Sequence, residues 1–485
     1  MKTVLVLLDS LNRNYLSSYG GDWVKTPNID RFAQESITFD QHWLGSAPCM
    51  PARRDLFTGR LNFLERDWGP IEPFDITLPA LLKEHAVYSH IITDHCHYFE
   101  TGGENYCQQF NSWDYQRGQE YDPWVSRVQQ PDLPKTYYGK ASPQYELNRT
   151  RFQKEEDFPT PRTFASACQW LQENQTAEQY FLMVEAFDPH EPFDCAPQYL
   201  KGYQDDYQGP RFDWSSYAPT TEPPEAIEHL RKRYAATLGM TDAWFGKLLD
   251  TLEELSLFED TLIILTTDHG HLLGEHGWTG KNLMHAYNDL AHLPMMVHLP
   301  KGKRKGERIQ ALTQNIDLMP TLLDYYDIEI PSSVRGKSLR PLWEGSNEQT
   351  REALLYGWFG KAVNVTDGKY TYFRAPERED NTPCHAYCAM PTTLWNFKGK
   401  EQKEKIEMGR FLAHTRYPVY KIPTADKGKS NRHINDTQLY DIKNDYLQQK
   451  PLQDSETEER MVQQLKELMR ETDAPEEQFI RLGIQ

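Results

Sequence analysis

The chain reads as an α/β fold: a large, mostly parallel sheet sandwiched by helices, followed by a smaller C-terminal α+β domain. Three observations lead there. Short apolar runs at Thr3–Leu8, Val87–Thr93, Tyr180–Ala186, Thr261–Thr267 and Met295–Leu299 alternate with helical patterns. Parallel strands buried on both faces have this form. Each run gives way to polar, Gly/Pro or His/Asp-rich residues. The length of 485 residues exceeds one simple core, while 38% hydrophobic and 12% aromatic residues suffice for a substantial interior.

Taken in order, the helical stretches are Asn28–Glu35, Leu78–His85, Arg162–Asn174 and a long one from about Pro224 to Leu257. Residues 100–160 break the rhythm, with Trp113, Tyr115, Tyr121, Trp124, Tyr137 and Tyr138 at no clear period. They read as an insertion near the pocket, a contact between copies in a homo-oligomer, or a structured surface loop. The Gln198–Pro223 stretch has similar composition. A boundary near Gly345 divides the chain into residues 1–345 and 346–485. Strand-like pieces at Ala353–Gly357, Ala362–Thr366 and Lys369–Phe373 follow it, then Gln438-Leu439-Tyr440-Asp441 and a helix over Glu456–Arg470.

A net charge of −18 excludes nucleic acid and anionic membrane as main partners, but not a small anionic substrate held by local groups. The opening apolar run meets Asp9 too soon for a signal peptide, and no stretch has the length of a membrane span. Seven cysteines, odd in number and widely scattered, point to a cytoplasmic protein with mostly reduced thiols. The spacing of Cys384, His385 and Cys388 leaves pairing or metal binding open there.

The chemistry gathers at strand ends, where open α/β sheets bind ligands. Asp9-Ser10, Thr93-Asp94-His95-Cys96-His97, Asp188-Pro189-His190 and Asp268-His269-Gly270 each follow a predicted strand. Asp9, Asp268 and His269 suit a divalent metal; the carboxylates favour Ca²⁺ or Mg²⁺, and the imidazole admits Mn²⁺. Lys281 lies beyond a glycine-punctuated loop, and a lysine and histidines around a metal suit an oxyanion substrate. Pro51 and Gly59 bracket a short helix, which puts Cys49 at its N-terminus and Arg53 on the same face one turn later. Unpaired N–H groups there favour an anion.

Cys49-Met50-Pro51-Ala52-Arg53, followed by Leu56-Phe57-Thr58-Gly59-Arg60, resembles the signature of the type I sulfatases of the alkaline phosphatase superfamily. The likeness extends over most of the chain, through Thr26–Asp30, Leu78–Leu82, Asp188–Phe193, Asp268–Gly270, Leu273–Gly277, Gly280-Lys281, Asp317–Leu322 and Leu439–Asp441. It implies an alkaline phosphatase-like fold and a sulfatase that releases sulfate from an organic ester, a small anionic ester or a sulfated carbohydrate. It also implies oxidation of Cys49 to formylglycine by a formylglycine-generating enzyme, the aldehyde hydrate being the nucleophile. By the same resemblance Asp9, Ser10, Asp268, His269 and modified Cys49 surround the metal, with Ca²⁺ preferred and Mn²⁺ or Mg²⁺ as alternatives. Arg53 supports the formylglycine, Lys281 and His190 meet the sulfuryl group and leaving oxygen, and His97 matches a proton-transfer histidine. Two positions depart from the common pattern. Ser10 replaces a second aspartate, and His95, which would contact substrate, stands where the Gly-Lys-x-His segment has its lysine. Phosphonate monoester hydrolases and phosphodiesterases of the same superfamily also depart there and are the alternative reading. A catalytically silent anion-binding relative is the third.

Overall fold

The computed structural model describes residues 1–346, 349–394, 405–424 and 436–485. Its first strands are β1 (Lys2–Leu8), β2 (Ile37–Trp43), β3 (Ser46–Ala47), β4 (Tyr88–Thr93), β5 (Ser112–Tyr115) and β6 (Tyr180–Ala186). The main sheet has nine strands, in spatial order Arg308–Ile309, β2, His292–His298, Thr261–Thr266, β1, β6, β4 and β5, with Thr313–Gln314 also paired to β2. β1 lies inside it, parallel to both neighbours, and Leu7 stands level with Glu185 on one side and Thr266 on the other. The sheet is an α/β sheet, mostly parallel and covered by helices, as the apolar runs predict.

Side chains of β1 alternate between two cores, as the pleat requires. Val4, Val6 and Leu8 face a core shared with Pro159–Glu173 and Pro224–Glu254. Helix α1 (Pro27–Gln34) adds Ile29 and Phe32 to it. Leu5 and Leu7 face the other core, with Met50, Leu56 and Phe57 of helix α2 (Cys49–Thr58).

Besides the short strands β5, Arg308–Ile309 and Thr313–Gln314, which no apolar run marks, two longer strands depart from the sequence reading. His292–His298 runs antiparallel to both neighbours and starts before the predicted Met295, because buried His292 stacks on Trp43 with centroids 4.4 Å apart. β2 was not predicted, since Asp40 and His42 interrupt its apolar pattern. Inside the fold Asp40 pairs with Arg308, and His42 lies between Thr313 Oγ1 at 3.0 Å and Asn315 Oδ1 at 2.9 Å.

Beyond Gly345, Leu354–Trp358, Val363–Thr366, Tyr370–Arg374 and Gln438–Asp441 form a five-stranded sheet whose last member is β3. Ser46 and Ala47, just ahead of Cys49, pair in parallel with Gly357 and Trp358. Helix Ser455–Glu471 packs Met461, Leu465 and Met469 against this sheet. His385–Cys388 belongs to a separate three-stranded sheet, where His385 pairs with Glu477 at 2.7 Å. No disulfide joins the seven cysteines. Among the described residues no helix is long and apolar enough to cross a membrane.

Burial holds the His42 imidazole down to about 4, against an ordinary value of 6.5. The neutral ring is therefore the folded form, and its contribution is complete above pH 6.5 and lost as pH falls toward 4. The urea midpoint should fall more steeply between pH 6.5 and 4.5 in the wild type than in His42→Gln; equal slopes would refute the assignment.

Candidate active site

Helix α2 starts at Cys49 and ends at Gly59, whose φ of 62° suits glycine and whose N–H reaches the Asp55 carbonyl at 2.8 Å. All ten helix residues are buried. Arg53 Nη1 donates to the Cys49 carbonyl at 3.1 Å, which closes the turn beneath the cysteine. The guanidinium is wholly buried among three carboxylates. Nε meets Glu185 Oε1 at 2.5 Å, Nη2 meets Asp9 Oδ2 at 2.8 Å, and Nη1 pairs with Asp268. The helix N-terminus does not make an anion of the Cys49 thiol. Burial, then Asp9, pushes its pKa well up against the opposing charges of Lys281 and Arg53.

Ligand atoms of Asp9, Cys49, Asp268 and His269 all lie within 4.8 Å of one another. His269 Nδ1 donates to the Gly270 carbonyl at 2.8 Å, so Nε2 carries the lone pair; it stands 3.2 Å from Cys49 Sγ and 3.2 Å from Asp268 Oδ2. Burial lowers this imidazole to about 4, which keeps it neutral. Two carboxylates, one neutral imidazole and the group at position 49 fit a single divalent cation. The bend after His269 requires Gly270, because a Cβ there would lie 1.9 Å from the Asp289 carbonyl oxygen.

Ser10 is turned within this cluster, with φ 61°. Its N–H reaches Asp268 Oδ1 at 3.0 Å, and its hydroxyl donates to Asp9 Oδ1 at 2.8 Å and accepts from Lys281 Nζ at 3.0 Å. Lys281 Nζ is also 3.4 Å from Cys49 Sγ and 3.7 Å from Asp9 Oδ1. Burial opposes the charge on Lys281, but Cys49, Asp9, Glu191 and Asp268 outweigh it and raise the pKa. Burial likewise opposes Asp9, and Lys281 and Arg53 hold it ionised.

The histidines form the adjoining wall. His95 is fully buried with neither ring nitrogen hydrogen-bonded, and Nε2 lies 3.7 Å from Asp9 Oδ2. Burial, then Arg53, holds its pKa well below the usual value, so it brings no lysine-like charge. His97 differs: Nδ1 lies 3.0 Å from Glu100 and Nε2 3.1 Å from Glu120. Burial works against its protonation, but those carboxylates raise it to about 9. His190 Nδ1 donates to the Glu191 carbonyl, which leaves Nε2 for other partners.

Asp94 and Asp188 do not join them. Asp94 accepts from Phe187 N at 2.7 Å and Thr160 Oγ1 at 2.8 Å, and shares the Gln119 amide with Asp188. They shape the loops.

Sequence reasoning missed Glu185 and Glu120, and gave Glu191 no role. Glu185 carries a detectable signal, a lone carboxylate inside the apolar run Tyr180–Ala186. Glu120 comes from the irregular 100–160 stretch and gives none.

Two outcomes test this geometry. Asp268→Asn should reduce bound divalent metal from about one ion per chain to none in elemental analysis, with circular dichroism unchanged. Glu185→Ala should cost about 3 kcal/mol in urea unfolding, because it leaves Arg53 partly uncompensated in the interior.

Comparison with known proteins accords with this geometry. The family model described as Sulfatase matches residues 2–328. An N-acetylglucosamine-6-O-sulfatase from Bacteroides thetaiotaomicron is 24% identical over 441 residues, covering 73% of this chain and 74% of the relative. A solved structure described as a complex with its substrate D-glucosamine-2-N,6-O-disulfate superposes with TM-score 0.68 and 20% identity, covering 98% of this chain and 99% of the other. A phosphonate monoester hydrolase from Agrobacterium radiobacter superposes with TM-score 0.66 and 17% identity, over 97% and 95% of the two chains. With the family match spanning most of the chain and the carboxylates, imidazole and cysteine of its strand ends gathered at one point, the chain belongs to the sulfatase family, hydrolases of sulfuric esters.

Proposed function

We propose that the chain hydrolyses a sulfate ester of a carbohydrate, using formylglycine made from Cys49 by a formylglycine-generating enzyme. The observation that carries this reading is the convergence of Asp9, Asp268 and His269 on Cys49, with Arg53 beneath and Lys281 beside it. When bound, the metal and the formylglycine hydrate supply a Lewis acid and an activated oxygen nucleophile. Asp9, Asp268, His269 and the group at position 49 hold the ion; Ca²⁺ suits the carboxylates, with Mg²⁺ an alternative on the same oxygens and Mn²⁺ the one the imidazole admits. Ser10 holds Asp9 and Lys281 in register and is an additional oxygen ligand.

The remaining residues orient the ester and move protons. Lys281 meets the sulfuryl oxygens as a fixed cation. His190, its Nδ1 spent on the Glu191 carbonyl, presents Nε2 to the leaving oxygen. His95 contacts the sulfuryl group as a neutral ring. His97 holds a proton between Glu100 and Glu120 at neutral pH and is the candidate for the later transfer.

The sulfated-carbohydrate assignment draws support from the two glucosamine-related relatives. We place the catalytic unit at residues 1–345 with a smaller C-terminal unit at 346–485, and the protein in the cytoplasm, the latter from its seven unbridged cysteines. Ser10 in place of a second aspartate, together with likeness to the A. radiobacter enzyme, favours phosphonate monoester hydrolysis as the second reading.

Mass spectrometry of the peptide containing Cys49, from native-host material, should show loss of sulfur in favour of an aldehyde. That enzyme should release sulfate from sulfated sugars faster than alcohol from phosphonate monoesters, and Cys49→Ala should lower turnover by at least about 1,000-fold. A persistent thiol would leave an anion-binding protein; faster phosphonate cleavage would replace the reaction.

A further inference from the structure

The two irregular stretches meet beside the active site. Tyr137 bridges to Arg211, Tyr138 N–H reaches the Arg211 carbonyl at 2.8 Å, and Lys140 N–H reaches the Trp214 carbonyl at 2.8 Å. The approach is too close for any side chain at position 139. Gly139 has φ 70°, and a Cβ there would lie 2.0 Å from the Trp214 carbonyl oxygen. Lys140 is thus delivered to a fixed place, half-buried, with its ammonium 3.8 Å from the centroid of Tyr217 and 5.9 Å from that of Trp214.

Tyr217 is part of the active-site wall. Its hydroxyl donates to Glu191 Oε1, next to His190. Its ring lies against Gly280, the residue before Lys281, where an added Cβ would stand 2.3 Å from Tyr217 Cδ1. One tyrosine ring therefore bridges Lys140 and the Lys281 segment.

The aromatic faces favour a cation above them but accept no hydrogen bond in the ordinary sense. Among the described residues, the Lys140 ammonium has the ring faces of Tyr217 and Trp214 as its contacts, with no carboxylate within ion-pair distance and no acceptor for its N–H groups. Burial opposes the charge on Glu191, but His190, Lys281, His271 and Lys140 together hold it ionised. Its Oε1 accepts from Tyr217 and its Oε2 lies 3.4 Å from both His190 Nδ1 and His271 Nδ1. Lys140 is thus one of several groups around it and gains no direct ion pair. A placed cation with three unspent donors beside an anion-handling site calls for an anionic oxygen from outside.

We propose that Lys140 is a specificity residue that binds a second anionic group, a sulfate or carboxylate, carried by the leaving sugar in addition to the sulfate being cleaved. This rests on the sulfate-ester reading of the site, and its test is chosen to separate the two. Calorimetric titration uses the full chain with Cys49 left as the thiol, so that nothing turns over. The probes are a hexose disulfate, a sulfated disaccharide containing a uronic acid, and the corresponding hexose monosulfate.

The wild type should bind at least one dianionic probe about tenfold more tightly than the monosulfate, a difference worth about 1.4 kcal/mol. Lys140→Gln should erase that difference and leave monosulfate affinity within about twofold, and Lys140→Arg should preserve most of it. Gly139→Ala, which displaces the ammonium without removing it, should behave like Lys140→Gln. Preference for the disulfate alone assigns a second sulfate, and preference for the uronate alone assigns a carboxylate. No preference in the wild type, or equal weakening of all probes by Lys140→Gln, overturns the proposal. If the modified enzyme cleaves no sulfate ester while the preference persists, the reaction assignment fails and the second-anion site stands.

Discussion

Arg53 sits where three carboxylates from three parts of the sheet converge, and the centre of the molecule takes its geometry from that contact. Glu185 belongs to β6, Asp9 follows β1, and Asp268 follows Thr261–Thr266. A buried ion pair of this kind is a weak source of net stability, since desolvation consumes most of the attraction. Its value is directional: the planar fork fixes α2 against the strand ends and holds Cys49 over them. The buried charges also have a sum. Asp9, Asp268 and Glu185 supply three negative charges against the positive charges of Arg53 and Lys281. Glu191, buried beside Lys281, adds a fourth negative charge, and one divalent cation offsets the excess.

Much of this was legible because strand ends advertise themselves. β1 leads to Asp9, and the Thr261 strand leads to Asp268 and His269, so the pattern of apolar run followed by carboxylate marked both sides of the cluster. Helix α2 was equally plain from Pro51 and Gly59. β2 was hidden because its buried Asp40 and His42 look like surface residues until Arg308, Thr313 and Asn315 arrive from far along the chain. Glu120 was hidden for the same reason, with no periodicity around it. The division among strand-end carboxylates was also beyond sequence: Asp94 and Asp188 resemble Asp9 in a string of letters, yet their partners are backbone, Thr160 and Gln119.

The loop that carries Glu120 shows how irregular sequence produces rigid structure. Arg117 grips Asp122 through two nitrogens, and Asn148 donates to the Asp122 carbonyl at 2.9 Å. Glu120 itself is buried with φ 38°, a backbone state that costs a non-glycine residue about 1–3 kcal/mol. The surrounding bonds offset that cost and deliver a carboxylate to His97.

The pairing of β3 with Leu354–Trp358 sets a schedule for maturation. Cys49 is 2% exposed in the finished fold, so an enzyme that rewrites its side chain needs the segment before it is enclosed. Ala47 takes its partner from Trp358, about 310 residues later in the chain. At about 5–20 residues per second, a nascent chain holds that edge open for roughly 15–60 s. If Cys49 is rewritten, as the proposed reaction requires, the long separation between this short strand and its partner leaves the strand ahead of it unpaired for that interval.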